Sequence, residues 1–403
     1  MAIPCAGIVG SHPVFEGMRA SYEATMVHDL EDGYRDVLRH ILGDRVPLHL
    51  GEVHGNILRV LLESLVDDVD VFTAGPPCPP WSSQGLGGQE GDDRAQVYLK
   101  VIEIIVFLAK CRRLKIVVVE NVSGILRANS DGISFMDKVM HVLQRRVPEF
   151  VWEVVKENLD NYHSCQNRVR VILRGLHKLI SPSMVPLLPK VSPPLLRDFL
   201  LLSFPNIVRA SLCDGMQANL RLREQELATR RDAGELPRGA VACFKLDRNP
   251  LKGFHQAIMI NRTPTLLTKD AYLFVLSVDD IDLCDDAHRE VLRFLQCQER
   301  LALQGFSPTL YEHLSNDTLA RKAAGNAYPP PLIAAVLAPM VDALARFELT
   351  SPLASFRAEV VTDKLVKQIR RIPGEVRVAL SERGADSARR RRQRRKRKRS
   401  ESD

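Results

Sequence analysis

Three short stretches carry residue types that could do covalent chemistry. The first is Ala-Gly-Pro-Pro-Cys-Pro-Pro-Trp-Ser-Ser, residues 74–83, which continues an apolar run ending at Ala74. Four prolines flank Cys78, so the backbone there is stiff and offers few N–H donors. A strand end followed by a rigid loop presents a side chain over a sheet edge. A cysteine in that place is a nucleophile if its thiolate is favoured, and otherwise a structural residue of a tight turn. The second stretch is Val-Val-Val-Glu-Asn-Val-Ser-Gly-Ile-Leu, residues 117–126. Its β-prone residues lead straight into Glu120, and a carboxylate at the end of a buried strand has its ionisation tuned by its surroundings. The plainer reading is a capping or surface glutamate. The third is Cys-Gln-Asn-Arg-Val-Arg-Val-Ile-Leu-Arg-Gly, residues 165–175. Arg168 and Arg170 alternate along a predicted strand and so share a face. Two guanidiniums on one face suit an anion or a planar polar edge, although a lone Arg-x-Arg also fits a solvated strand face.

These residues need a scaffold, and the first 175 residues supply its pattern. Candidate strands at Ala24–Val27, Pro47–Leu50, Val69–Ala74, Lys115–Val119 and Arg170–Leu173 alternate with helix-like segments at Tyr34–Leu42, Ile57–Leu65 and Gln96–Ala109. Such alternation predicts an α/β fold with a mostly parallel sheet covered on both faces. Ligands of these sheets bind outside the carboxyl ends of the strands, where the first two stretches fall. From about residue 176 to 260 the pattern breaks. Prolines cluster between Pro182 and Pro194, a helical stretch is expected at Ala218–Asp232, and the segment reads as a small separate domain. Regular pattern returns over 261–350, with a last helix from near Pro331. Residues 351–403 turn polar and then strongly basic, and are expected to be a disordered tail.

Bulk properties set limits. The chain has 403 residues and is 45% hydrophobic, with no apolar run long enough to span a bilayer. No secretory leader is apparent at the N-terminus. The eight cysteines are scattered without a Cys-x-x-Cys pair, which argues against a zinc ribbon, another metal site or a disulfide framework. Net charge is +7, but residues 389–399 hold ten positive charges, so the rest of the chain stands near −3. A run of like charges of this kind binds polyanions or is read as a nuclear import signal.

In their order the three stretches resemble the Pro-Cys loop, the Glu-Asn-Val strand end and the Gln-x-Arg-x-Arg strand of the DNA cytosine-5 methyltransferase family. The resemblance continues in Arg262–Thr265, in residues 293–307 with their Gln-Gly-Phe, and in residues 324–332 with their Gly-Asn-Ala. It implies a Rossmann-like class I S-adenosylmethionine-dependent methyltransferase with a small target-recognition domain. It implies further that Cys78 attacks carbon 6 of a cytosine flipped from the duplex, that Glu120 holds ring nitrogen 3 and the exocyclic amine, that Arg170 contacts the base carbonyl, and that Arg168 supports the Cys78 loop. For S-adenosylmethionine, residues 5–10 resemble the family's glycine-rich turn: Gly7 and Gly10 match, while Val9 replaces a glycine and Cys5 an aromatic residue. Asp29 matches the acid that binds the ribose, Glu52 the acid near the adenine (Asn56 being a competing alignment), and Asn326 a further cofactor contact. Two other departures are Pro79, where glutamine usually follows the nucleophile, and Cys165, where proline is usual.

Taken together these features lead us to expect an enzyme acting on double-stranded DNA in the nucleus, reached by import machinery that reads the basic tail. Two alternatives are an RNA cytosine-5 methyltransferase and a catalytically silent relative that binds DNA or a partner methyltransferase. The RNA-methylating branch carries a Cys-Phe-Thr element that this chain lacks. Val9 favours the silent relative, whereas retention of Cys78, Glu120 and Arg170 counts against it.

Overall fold

The computed structural model describes residues 1–65, 68–82, 92–129, 132–201, 203–252, 257–283, 286–350 and 358–377. The chain divides into two units. The first comprises Met1–Glu157, Val169–Leu188 and the chain from Ile333, and the second Asn158–Arg168 and Pro189–Leu332.

The first unit is built on a sheet with the strands β1 (Ala2–Pro4), β2 (Met26–Asp29), β3 (Leu48–Leu50), β4 (Val71–Ala74), β5 (Ile116–Val122), β6 (Phe150–Asn158) and β7 (Val169–His177), in the order β3-β2-β1-β4-β5-β7-β6. β1 pairs in parallel with β2 and β4, β2 with β3, and β4 with β5, whereas β7 runs antiparallel to β5. Ile116–Val119 are all buried, as expected of a central strand covered on both faces. The helices α1 (His12–Gly17), α2 (Arg35–Leu42), α3 (Gly51–His54), α4 (Ala95–Cys111) and α5 (Phe135–Arg146) lie between the strands in sequence. α4 is apolar around most of its circumference, so nearly all of it enters the core. The sheet order reverses between β1 and β4. A doubly wound sheet opens its ligand crevice at such a switch point.

In the second unit β8 (Val241–Lys245), β9 (Met259–Ile260), β10 (Leu273–Ser277) and β11 (Leu292–Phe294) form an antiparallel sheet in the order β11-β10-β8-β9. Beside them in sequence are α6 (Asp214–Asp232), α7 (Cys297–Gln304) and α8 (Asp317–Asn326); α9 (Pro330–Thr350) and α10 (Asp363–Ile369) follow.

The structure departs from the sequence expectations in four places. Residues 57–65 form two short 3-10 turns rather than a helix, with Val60 extended between them, since Leu58 and Leu61 face solvent. A boundary at 260/261 would cut a sheet, because β8 lies before it and its partner β10 after it; pairing across that distance leaves no local trace. The expected tail from 351 contains α10 and a further helical turn over 372–377. Leu365, Val366, Ile369, Ile372 and Val376 recur at helical spacing and are buried in the same core as α4 and α5. Finally, Arg168 and Arg170 do not share a strand. β7 begins at Val169, while residues 165–167 bond to Thr263: Thr263 N–H donates to the Cys165 carbonyl and Asn167 N–H to the Thr263 carbonyl. The basic run 389–399 lies outside the described residues.

Candidate active site

The Cys78 loop is built on the end of β5. The Asn121 side chain donates to the Pro76 carbonyl at 3.1 Å, and its own carbonyl oxygen accepts the Val122 N–H at 2.9 Å. Asn121 thereby closes a bridge from strand to loop. After Cys78 the chain tightens into one helical turn, with the Cys78 carbonyl accepting from Trp81 N–H and Ser82 N–H, both at 3.0 Å. The Trp81 carbonyl packs so tightly on Gly124 that a β-carbon at Gly124 would overlap it, which fixes glycine at that position. The Trp81 ring is buried, edge-on to Tyr98 with centroids 5.6 Å apart and tilted on Phe135 at 4.9 Å. Stiff prolines, a side-chain bridge and an aromatic anchor together hold Cys78, which is itself half-buried.

Glu120 is the residue of β5 just beyond its last pairing with β4. In the β5–β7 register Glu120 faces Ile172 and Val122 faces Arg170, so Glu120 and Arg170 are diagonal neighbours on one sheet face. Their side chains form an ion pair with Arg170 Nε 2.7 Å from Glu120 Oε1, and both are about nine-tenths buried. Tyr98 is also buried; burial and then the Glu120 charge hold its hydroxyl protonated far above the usual range. Arg94, just before α4, donates to Asp92 through Nε at 2.8 Å and Nη2 at 2.5 Å. This pairing draws Asp92 down to about 2. Arg94 is held more firmly cationic by the Asp92 hydrogen bonds first, and also by charge on Cys78.

The carboxyl ends of β1, β2 and β3 carry the expected cofactor residues. Asp29 Oδ2 accepts the Gly7 N–H and Oδ1 the Glu31 N–H, each at 2.8 Å. Gly7 is in the left-handed region (φ +53°), and a β-carbon there would meet nothing within 4 Å. Cys5 (φ 54°) and Val9 (φ 50°) are left-handed as well. For a β-branched residue this is a strained conformation, so the glycine that Val9 replaces has a conformational meaning. Gly10 is buried in the same turn. Burial, with the Asp29 charge, raises the Cys5 thiol far above its usual range. The Ser11 and Thr73 hydroxyls lie 3.3 Å apart and join this turn to β4, the strand that leads to Cys78. Glu52, on the exposed α3, accepts from the Asn56 side chain at 2.9 Å, so the two competing candidates touch each other. His28 stacks on His49 with centroids 4.5 Å apart; burial, and then His49, lowers it to about 4.

The remaining predicted residues belong to the second unit. The buried Arg168 donates to the carbonyls of Leu266 (3.2 Å), Gly325 (3.1 Å) and Ala327 (2.8 Å). Gln304 donates to the Ala324 carbonyl at 2.7 Å, and a β-carbon on Gly325 would overlap the Thr268 backbone. Arg168 therefore ties together the segments around 266 and 325–327. Asn326, the last residue of α8, is exposed. Sequence reasoning gave no role to Asn121, Gly124, Trp81, Arg94 or Gln304, although Asn121 and Gly124 stand inside the Glu120 stretch and Trp81 inside the Cys78 stretch.

The family model for C-5 cytosine-specific DNA methylases matches residues 19–342, most of the chain. The chain belongs to this family. The match begins after the Gly7 turn and takes in Cys78, Glu120, Arg168, Arg170 and Asn326. Among curated proteins, the type II methyltransferases M.HpaII of Haemophilus parainfluenzae and M.NgoPII of Neisseria gonorrhoeae are 32% identical over 109 residues and 31% over 128 residues, 27% and 31% of this chain. The matched stretches amount to 29% and 35% of those relatives, so the chain spans about a third of their length. Among solved structures, the Entamoeba histolytica methyltransferase EhMeth superposes with a TM-score of 0.55 at 14% identity, covering 85% of this chain and 98% of that one. A Spodoptera frugiperda DNMT2 mutant gives 0.55 at 15%, covering 84% and 98%. These two likenesses confirm the expected methyltransferase fold.

Proposed function

We propose that this protein methylates carbon 5 of cytosine in double-stranded DNA, with Cys78 as the covalent nucleophile. One observation carries the reading: Cys78 stands on a loop locked to the strand end that presents Glu120, and Glu120 is paired with Arg170. Carbon 6 of a stacked cytosine is shielded, so the base must leave the duplex to meet the thiolate. The Cys78 sulfur forms a bond to carbon 6, and the ring electrons move toward carbon 5 and nitrogen 3. Glu120 hydrogen-bonds nitrogen 3 and the exocyclic amine as that charge develops, and Arg170 holds Glu120 in place and meets the base carbonyl. Carbon 5, made electron-rich, would take the methyl group that bound S-adenosylmethionine supplies; its proton then passes to water as the sulfur–carbon bond breaks, restoring the ring and the thiolate. Arg168 is a positioning residue within the second unit.

The residues present fit S-adenosylmethionine, which supplies the methyl group when bound. Asp29, whose carboxylate accepts the Gly7 and Glu31 amides, stands at the end of β2 as the kind of acceptor that a ribose hydroxyl needs. Gly7 leaves open space at the turn, and Glu52 and Asn326 are exposed polar groups. Asp29, Gly7, Gly10, Glu52 and Asn326 are accordingly proposed to hold the cofactor. The ten charges of 389–399 favour a nuclear location reached through the import machinery. The test is to incubate the protein with labelled S-adenosylmethionine and separate pools of duplex DNA and RNA. Label in DNA 5-methylcytosine supports the proposal, and label confined to RNA, or none, overturns it.

A further inference from the structure

Three parts of the proposed cofactor site meet at His28, a residue to which the sequence gave no role. Its carbonyl accepts the Ala6 N–H of the glycine-rich turn at 3.0 Å, and the next residue, Asp29, accepts the Gly7 N–H. Its ring is buried, 7% exposed, and stacks on His49, its partner in the β2–β3 register. Burial first, and then His49, lower its pKa to about 4, against the upward pull of a hydrogen bond with the His54 backbone. The ring is therefore neutral at ordinary pH. A bond that raises a histidine's pKa is one that the ring donates, so the acceptor is the His54 carbonyl. Nδ1 has no partner among the described residues, which leaves Nε2 as the donor.

His54 is the last residue of α3, where helix carbonyls lack partners within the helix. None of the four residues of α3 is buried, so the helix has no apolar face to fix it. Its position depends instead on contacts at its end. A β-carbon on Gly55, which follows α3, would overlap the Asp29 carbonyl, so only glycine lets the chain lie this close to β2. The His28 ring holds the neighbouring carbonyl. α3 also carries Glu52, the acid expected near the adenine.

We propose that His28 is a positioning residue of the S-adenosylmethionine site: by donating from Nε2 to the His54 carbonyl it holds α3 against the end of β2, so that Glu52 is presented beside Asp29 to the same adenosine. This rests on the cofactor reading given above for Asp29 and Glu52. A histidine that only filled the core would give no reason for affinity to depend on which of its nitrogens is kept.

The experiment is titration calorimetry of the full chain with S-adenosylmethionine, without DNA. His28→Gln keeps an N–H at about the reach of Nε2, whereas His28→Asn keeps one only at the reach of Nδ1. The asparagine variant should bind the cofactor roughly five- to tenfold more weakly, the scale of one lost hydrogen bond, and the glutamine variant within about twofold of the parent. With duplex DNA as substrate, His28→Asn should raise the KM for S-adenosylmethionine by the same factor and leave kcat and the KM for DNA unchanged. Equal losses in the two variants, or parent-like affinity in both, overturn the proposal. If His28→Asn does not fold, Gly55→Ala decides: it displaces α3 without altering the ring and should weaken binding comparably, while parent-like affinity refutes the role of α3. Asp29→Ala separates the two readings. If it binds the cofactor as the parent does, the cofactor site itself is misplaced; if it loses binding while His28→Asn retains it, the His28 proposal alone fails.

Discussion

Glu120 and Arg170 should behave as one unit in stability, with neither expendable alone. At 2.7 Å and an effective dielectric near 20, their attraction is about 6 kcal/mol before desolvation is subtracted. Both side chains are about nine-tenths buried. Removing one therefore strands the other as an uncompensated buried charge, at a cost of about 3–5 kcal/mol. Removing both together removes the desolvation penalty as well and should cost no more than about 1 kcal/mol. The predicted order is that Arg170→Met and Glu120→Leu each destabilise strongly, while the double variant recovers most of the loss. The coupling energy of the cycle should exceed about 2 kcal/mol. Urea denaturation followed by tryptophan fluorescence suits the test, because both tryptophans, Trp81 and Trp152, lie in the first unit. All three variants should lack methyl transfer, so activity cannot mimic the result. Single-variant costs under about 1 kcal/mol, or costs that simply add, would refute the buried-pair argument.

Further outcomes follow from other parts of the site. His28 is lowered from 6.5 to about 4, so the unfolded chain binds the extra proton between those values. The stability this residue confers is complete above pH 6.5 and is lost as pH falls toward 4, by about 3 kcal/mol; His28→Gln should flatten that part of a pH–denaturation profile. Asp29→Ala should weaken S-adenosylmethionine binding by about 1.5–3 kcal/mol in calorimetry and leave DNA affinity nearly unchanged; equal cofactor affinity would move the site elsewhere. Ile369→Ala should destabilise the first unit by about 2–4 kcal/mol in denaturant titrations, whereas a free tail would give no change.

What was legible in the sequence was local. The Cys78 and Glu120 stretches are strand ends, and a strand end announces itself through a β-prone run meeting prolines or an isolated carboxylate. Their placement at the same sheet edge follows from parallel pairing. The Arg168–Arg170 assignment failed because the strand boundary at Val169 is set by pairing of residues 165–167 with Thr263, almost a hundred positions away. The strand Phe150–Asn158 escaped notice because it ends the sheet order, where charged residues such as Glu153, Lys156 and Glu157 are tolerated. The docked segment escaped because its mean polarity hides five apolar residues at helical spacing. At Val9 the departure was visible, but its consequence, a valine in left-handed backbone, required the structure.

The central claim is that Cys78 bonds to cytosine, and a trapped complex tests it most directly. The full chain would be incubated with S-adenosylmethionine and duplex DNA containing 5-fluorocytosine, whose fluorine cannot leave as a proton does. Intact mass spectrometry and peptide mapping then locate the bond. The account predicts one covalent DNA adduct on the peptide containing Cys78, lost in Cys78→Ser while the fold persists. An adduct on any other cysteine, or one that survives in the serine variant, would contradict it.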